Sequence, residues 1–161
     1  MSPQSRHWPA LGGFILLSVV VSGLGGAVTA TSVGSWYVTL IKPSWNPQNW
    51  VFGPAWTALY LMMAVAAWRV WRLREANPAV RAVLVGYGVQ LGLNCVWSVL
   101  FFGLRAPALA LADIALLWGV LVWLQIRLTR IDRMAAGLWA PYVAWVTFAA
   151  ALNFEIWRLN R

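Results

Sequence analysis

Five long apolar runs, separated by short polar breaks, organise the chain: about residues 10–33, 50–70, 80–104, 108–126 and 135–157. Each approaches the ~20 residues that a helix needs to cross ~30 Å of hydrocarbon. Strand-like alternation is absent, so a transmembrane barrel is not indicated. The pattern predicts an all-α integral membrane bundle of five transmembrane helices, one domain over residues 1–161 with a short basic tail over residues 1–9. In the breaks, Asn46-Pro47 and Asn77-Pro78 each set a capping side chain before a proline suited to a first helical turn, and Pro107 follows Gly103 in the same way. Short connections then make consecutive helices antiparallel neighbours. Only the first, residues 34–46, is long enough to fold over something. Pro54 and Pro141 fall within helices or just after their starts, and Pro54 frees backbone carbonyls near one end of the second span.

Composition sharpens the class. The chain is 61% hydrophobic and 10% charged, with mean hydropathy +0.69, where a soluble domain carries about a quarter charged residues. Arg6 before an apolar core resembles a signal peptide, but the first run is too long for one. Its small residues Gly23, Gly25, Gly26 and Ala27 suit close helix packing, as do Gly103, Ala106, Ala108, Ala110 and Ala112 at the third-to-fourth corner. A homodimer through one of these stripes is expected. The lone Cys95 excludes an intramolecular disulfide framework and reads as a small buried hydrophobe. The net charge of +8 does not signal nucleic acid, because the arginines sit at span ends where lipid headgroups lie. Arg6, Arg69, Arg72, Arg74, Arg81, Arg127, Arg130 and Arg133 share one side, against Lys42, Arg105, Arg158 and Arg161 on the other. The positive-inside rule then places the N-terminus in the cytoplasm and the first loop and C-terminus outside, with a bacterial cell membrane favoured over an outer membrane.

The candidate chemistry gathers at residues 36–60, W-Y-V-T-L-I-K-P-S-W-N-P-Q-N-W-V-F-G-P-A-W-T-A-L-Y, which hold Trp36, Trp45, Trp50 and Trp56 of the chain's 13 Trp, with Pro43, Pro47 and Pro54. Prolines and rigid indoles are not linker composition, so this stretch reads as a structured cap over a cavity. Beneath it, Gln90, Asn94, Trp97 and Ser98 share one face of the third span, Tyr142, Trp145, Ala149 and Asn153 one face of the fifth, and Trp56, Tyr60 and Met63 a stripe of the second. Most fall in the outer half and converge under the loop, Trp56, Trp97 and Trp145 as pocket lining. Trp8, Trp68, Trp71, Trp139 and Trp157, near run ends, read as interfacial anchors. Asn94 and Asn153 line the pocket or bond across helices. Asp113 is either a charge near the interface paired with Arg105 or a polar pocket wall. His7 is the only histidine, no paired carboxylates or phosphate loop occur, and no metal or cofactor site is expected.

Four motifs, W-Y-x-x-L-x-K-P-x-W-N-P (residues 36–47), W-V-F-G-P-A-W-T-x-L-Y (50–60), N-C-V-W-S-V-L-F-F-G (94–103) and P-Y-V-A-W-x-x-F-A-x-x-L-N-F-E-x-W-R-L-N (141–160), resemble the TspO/translocator protein family of tryptophan-rich sensory proteins, also called peripheral benzodiazepine receptors. The resemblance covers nearly the whole chain. It implies five transmembrane helices, frequent homodimerisation, and an outer-half pocket for porphyrins such as protoporphyrin IX or haem-type rings and for benzodiazepine-type ligands, with a role in porphyrin handling or stress response. By motif position the ligand-contacting residues are Tyr37, Pro47, Trp56, Tyr60, Asn94, Trp97, Ser98, Trp145 and Ala149. The animal sterol motif asks for a Tyr near the C-terminus where this chain has Phe154, which argues against sterol binding.

Two function classes follow. The first is a binding, sensing or transport protein for tetrapyrroles, the macrocycle sandwiched by Trp56 and Trp145 and its propionates reaching Lys42 or Arg105. The second, implied by the resemblance for some bacterial members, is an enzyme degrading protoporphyrin in light and oxygen, with Trp56 and Trp145 as the candidate catalytic rings. Binding ranks first, because a bound porphyrin generates reactive oxygen species by itself.

Overall fold

The structure, a computed structural model, describes residues 7–161. Arg6 and the rest of the tail before His7 lie outside the described residues. The elements are α1 (Trp8–Val33), the single turn α2 (Trp36–Thr39), α3 (Asn49–Trp71), α4 (Ala79–Ser98) continued by a π-helical turn (Val99–Gly103), α5 (Pro107–Ile131) and α6 (Arg133–Leu159). Five helices are long and apolar enough to cross a membrane, and no strand occurs among the described residues. The chain is thus an all-α, multi-pass membrane bundle.

Local chemistry sets the boundaries. Asp132 caps α6, its Oδ1 accepting from the Met134 and Ala135 N–H groups at 2.9 and 3.0 Å. Arg69 of α3 donates to both of its carboxylate oxygens, at 3.0 and 3.2 Å, and ties this corner to a second helix. Asn77 Oδ1 accepts from the Ala79 N–H at 3.0 Å, as the Asn-Pro reading predicts. Asn46 does not cap: α3 starts at Asn49, and Asn46 is spent inside the loop.

On α5, Ala110, Ile114, Leu117, Leu121, Leu124 and Leu128 recur at alternating spacings of four and three, and all are at most 2% exposed. That stripe presses α5 against α4 on one side and α6 on the other. The helices close a ring in the order α1, α3, α6, α5, α4. Consecutive spans are neighbours except α3 and α4, which scarcely touch although the short segment between Trp71 and Ala79 joins them. A void therefore opens between α3 and α4, closed by α1 and α6.

Several single-residue expectations change. Trp139 is no interfacial anchor: it is 2% exposed, packed edge-on against Tyr142 at 5.7 Å, with its indole N–H directed at the Leu121 carbonyl at 3.4 Å. The helix begins at Arg133, so Trp139 lies almost two turns inside and on the core face with Ala135, Ala136 and Tyr142. Asp113 is neither paired with Arg105 nor a cavity wall; it is 7% exposed on the buried side of α5, and its Oδ2 has no hydrogen-bond partner. Cys95 is only half-buried.

Candidate functional site

The first connection is a built lid. Tyr37, 4% exposed, donates its hydroxyl to Asn46 Oδ1 at 2.8 Å, and Asn46 Nδ2 donates to the Pro47 carbonyl at 2.9 Å. Burial pushes the Tyr37 hydroxyl up to about 12, outweighing the Asn46 bond that lowers it, so it stays a neutral donor. Lys42 Nζ donates to the carbonyls of Tyr37 and Leu40 at 2.7 and 3.0 Å and sits 4.8 Å from the Tyr37 ring centroid. The Asn160 amide accepts from the Ile41 N–H and donates to the Ile41 carbonyl, 2.9 and 2.8 Å, fastening the lid to the end of α6. The loop and the C-terminus accordingly share one end of the bundle. At the opposite end, Trp68 Nε1 donates to the His7 carbonyl at 2.8 Å.

Beneath the lid is a cavity of about 410 Å³. All of the motif-derived residues except Pro47 line it: Tyr37, Trp56, Tyr60, Asn94, Trp97, Ser98, Trp145 and Ala149. Its floor is a chain of hydrogen bonds across three helices. Tyr60 donates to Asn94 Oδ1 at 2.6 Å, Asn94 Nδ2 donates to the Tyr142 hydroxyl at 3.0 Å, and Tyr142 donates to Gln90 Oε1 at 3.0 Å. On the α4 side, Trp97 Nε1 donates to Asn153 Oδ1 at 3.0 Å, and Asn153 Nδ2 donates to the Pro107 carbonyl at 2.8 Å. Asn94 and Asn153 therefore bond across helices and face the cavity at once. Their polar atoms are already matched, which leaves ring faces and shape as the main means of holding a ligand.

The rings are arranged as a corner. Trp56 and Trp145 meet edge to face, centroids 6.4 Å apart at 84°, and Trp56 also contacts Tyr60 at 5.8 Å. Two rings in that geometry do not sandwich a macrocycle between them; they offer it one face and one edge. Trp97 stacks on Phe101 at 5.2 Å and 22° and closes the far side. No charged side chain lines the cavity. Lys42 belongs to the lid, and Arg105 is exposed at φ 54°, a left-handed conformation, at the turn before α5.

Two contributions escaped the sequence reading. The wall formed by α1, with Ser22, Gly25, Gly26, Thr29 and Ala30, is made of small residues. Gly25 is packed where a Cβ would stand 3.1 Å from Ser98 Oγ, so part of the stripe assigned to dimerisation instead gives the cavity room. The other is the π-helical turn, which brings Phe101 and Phe102 into the lining. Leu104 N donates to the Val99 carbonyl at 2.7 Å, and Ser32 of α1 donates to the Phe102 carbonyl at 2.7 Å. Such widened turns often mark functional sites. The F-F-G sequence itself carries no helix breaker that would have revealed it.

Comparison with known proteins points the same way. The sequence pattern of the TspO/MBR family matches residues 14–158. The tryptophan-rich protein TspO of Chlorobaculum tepidum is 42% identical over 143 residues, 86% of this chain and 88% of that protein. Protein CrtK of Rhodobacter capsulatus is 37% identical over 147 residues, 91% and 92% of the two chains. The translocator protein of Sus scrofa is 36% identical over 159 residues, 96% and 92%.

Proposed function

The chain belongs to the TspO/MBR family of membrane proteins, among whose named members are sensory and translocator proteins, and from that premise we propose that it is a receptor whose lidded cavity binds tetrapyrroles. The carrying observation is the uncharged, ring-lined cavity with the Trp56–Trp145 corner over the Tyr60–Asn94 floor. An apolar macrocycle gains from stacking and from leaving water, and a cavity of this size lies in the range that encloses drug-sized ligands. With no charged residue inside, the propionates point to the lid end, where Lys42 is the nearest cation of the lid. Its ammonium has three donors and spends two on the Tyr37 and Leu40 carbonyls. Tyr37, Trp56, Tyr60, Trp97, Ser98, Trp145 and Ala149 make the contacts; Pro47 acts through the lid, as the residue to which Asn46 is bonded.

The test is a titration of the protein in lipid nanodiscs with protoporphyrin IX, haem and a benzodiazepine-type ligand, read by tryptophan quenching. Saturable 1:1 binding of a tetrapyrrole, displaced by the smaller ligand, is expected. Absence of saturation by every tetrapyrrole in the panel overturns the proposal.

A further inference from the structure

At the end of the bundle opposite the lid, α4 and α5 leave a shallow groove open to lipid. Val85, Gly86 and Val89 of α4 face Val120 and Trp123 of α5 across it, and Arg81 stands at its mouth. The helices close at Gly86, where a Cβ would come within 2.7 Å of the Trp123 ring and 3.0 Å of Leu124, so the indole lies across the floor. One turn beyond, the Arg127 guanidinium rests 5.4 Å from the centroid of that ring.

Charge separates this groove from ordinary lipid-facing surface. Among the described residues the ion pairs are Arg69–Asp132, Arg74–Glu75 and Arg158–Glu155. Both acidic groups at this end are thus engaged elsewhere, and Arg81 and Arg127 have no carboxylate. An apolar trough ending in two guanidiniums at the membrane interface matches an acyl chain continued by a phosphate. We propose that the α4–α5 groove is a binding site for an anionic phospholipid of the leaflet at this end, one chain lying along Val85, Val89 and Val120 and the headgroup phosphate held by Arg81 and Arg127. A second copy of the chain fits it less well. Gly88 and Gly92 give α4 a smooth exposed strip beside the groove, but a two-fold partner seated over the groove would bring its own Arg81 and Arg127 to the same level, like charge on like.

The test compares lipids on the wild-type protein first, so it does not depend on any variant folding. Delipidated protein in neutral detergent is offered phosphatidylglycerol, phosphatidylcholine of the same chains, or chain-free glycerol phosphate, and retention is read by native mass spectrometry. Each guanidinium near the surface is worth roughly fivefold, so phosphatidylglycerol should be retained on the order of 25-fold more tightly than phosphatidylcholine, and glycerol phosphate not at all. Arg81→Gln with Arg127→Gln should erase the preference, whereas Arg72→Gln, whose guanidinium lies over Trp68, should keep it. Equal retention of the two lipids, or a preference that survives the double substitution, overturns the proposal. So does tight binding of glycerol phosphate, which would mean a free-anion site. Quantitative cross-linking between copies through Val89→Cys, beyond what Cys95 alone gives, would place a second copy in the groove and overturn it too.

Discussion

The Trp56 and Trp145 substitutions test the cavity most directly. Trp56 touches Tyr60 at 5.8 Å, Tyr142 at 6.1 Å and Trp145 at 6.4 Å. With each aromatic pair contributing about 0.5–1.5 kcal/mol, Trp56→Ala should lower stability by roughly 1.5–4.5 kcal/mol before any ligand is added. Trp56→Phe keeps a ring in place and loses much less. A macrocycle stacked on the corner should lose about 1–3 kcal/mol when either indole is removed, about 5- to 150-fold in affinity. Because the two indoles meet edge to face, the double variant should show a coupling of about 0.5–1.5 kcal/mol. The assay is a tetrapyrrole titration followed by the porphyrin absorption band, beside a thermal melt of each unliganded variant. Trp139→Phe is the core control, lowering Tm while leaving affinity unchanged; Trp157→Phe, near the chain end with Arg161 over its ring, should change neither. Equal affinity across all four variants would refute the reasoning, as would a loss at Trp139 or Trp157 matching that at Trp56. If Trp56→Phe keeps its affinity but abolishes light-driven porphyrin loss beyond free-porphyrin and dark controls, the enzyme reading overtakes the binding one.

Other expectations follow from single contacts. Burial alone would raise the Asp132 carboxyl, but hydrogen bonds from Ala135, Arg69 and Met134 and the Arg69 charge together hold it below the usual carboxylate range. Its stabilisation is therefore complete above the unfolded-state value of about pH 4 and is lost as pH falls through the lower folded value. Asp132→Ala should cost about 1–2 kcal/mol at neutral pH, about 1 from the cap and up to ~1 from the part-exposed pair, while Asp132→Asn keeps the cap and costs only the pair; melts at pH 7 and pH 3 check both. Asp113→Leu should raise Tm, since it removes a buried oxygen without a partner, worth about 1–3 kcal/mol; a lower Tm would show that the carboxyl has an unseen role. The N-in, C-out orientation requires a reporter fused after Arg161 to be active outside the cytoplasm. A homodimer should cross-link through the exposed small residues Gly23 and Ala27 of α1 or Ala108 and Ala112 of α5, and only monomers in bilayers would count against it.

Much of the architecture was legible because a membrane simplifies the code. Burial in hydrocarbon demands long uninterrupted apolar runs, and those runs mark the five helices to within a few residues. Polar residues inside them are costly enough to stand out by residue type and spacing alone. Tyr60, Asn94 and Asn153 do so on three helices, and each turns out to be bonded across to another helix at the cavity wall. What escaped depends on relations between helices that periodicity does not encode. Adjacency was inferred from short connections, yet the segment between Trp71 and Ala79 joins two helices that scarcely meet, and the cavity occupies the space this leaves. Small residues carry no signature of their own. Gly25 and Gly26 read equally as a seam for another copy or as the wall of a void, and only the position of Ser98 across from Gly25 distinguishes the two. The π-helical turn is the same kind of case. Val99–Gly103 reads as the tail of an apolar helix, and the turn is accommodated by a partner 70 residues away in sequence, the Ser32 hydroxyl, which takes up the Phe102 carbonyl. Ser32→Ala should therefore leave that carbonyl, beside the cavity, without its donor and cost about 1–3 kcal/mol. If the turn is what sets Phe101 and Phe102 into the lining, the same substitution should weaken ligand binding from a residue outside the cavity, and unchanged affinity in a destabilised Ser32→Ala protein would show that the turn is held by packing alone.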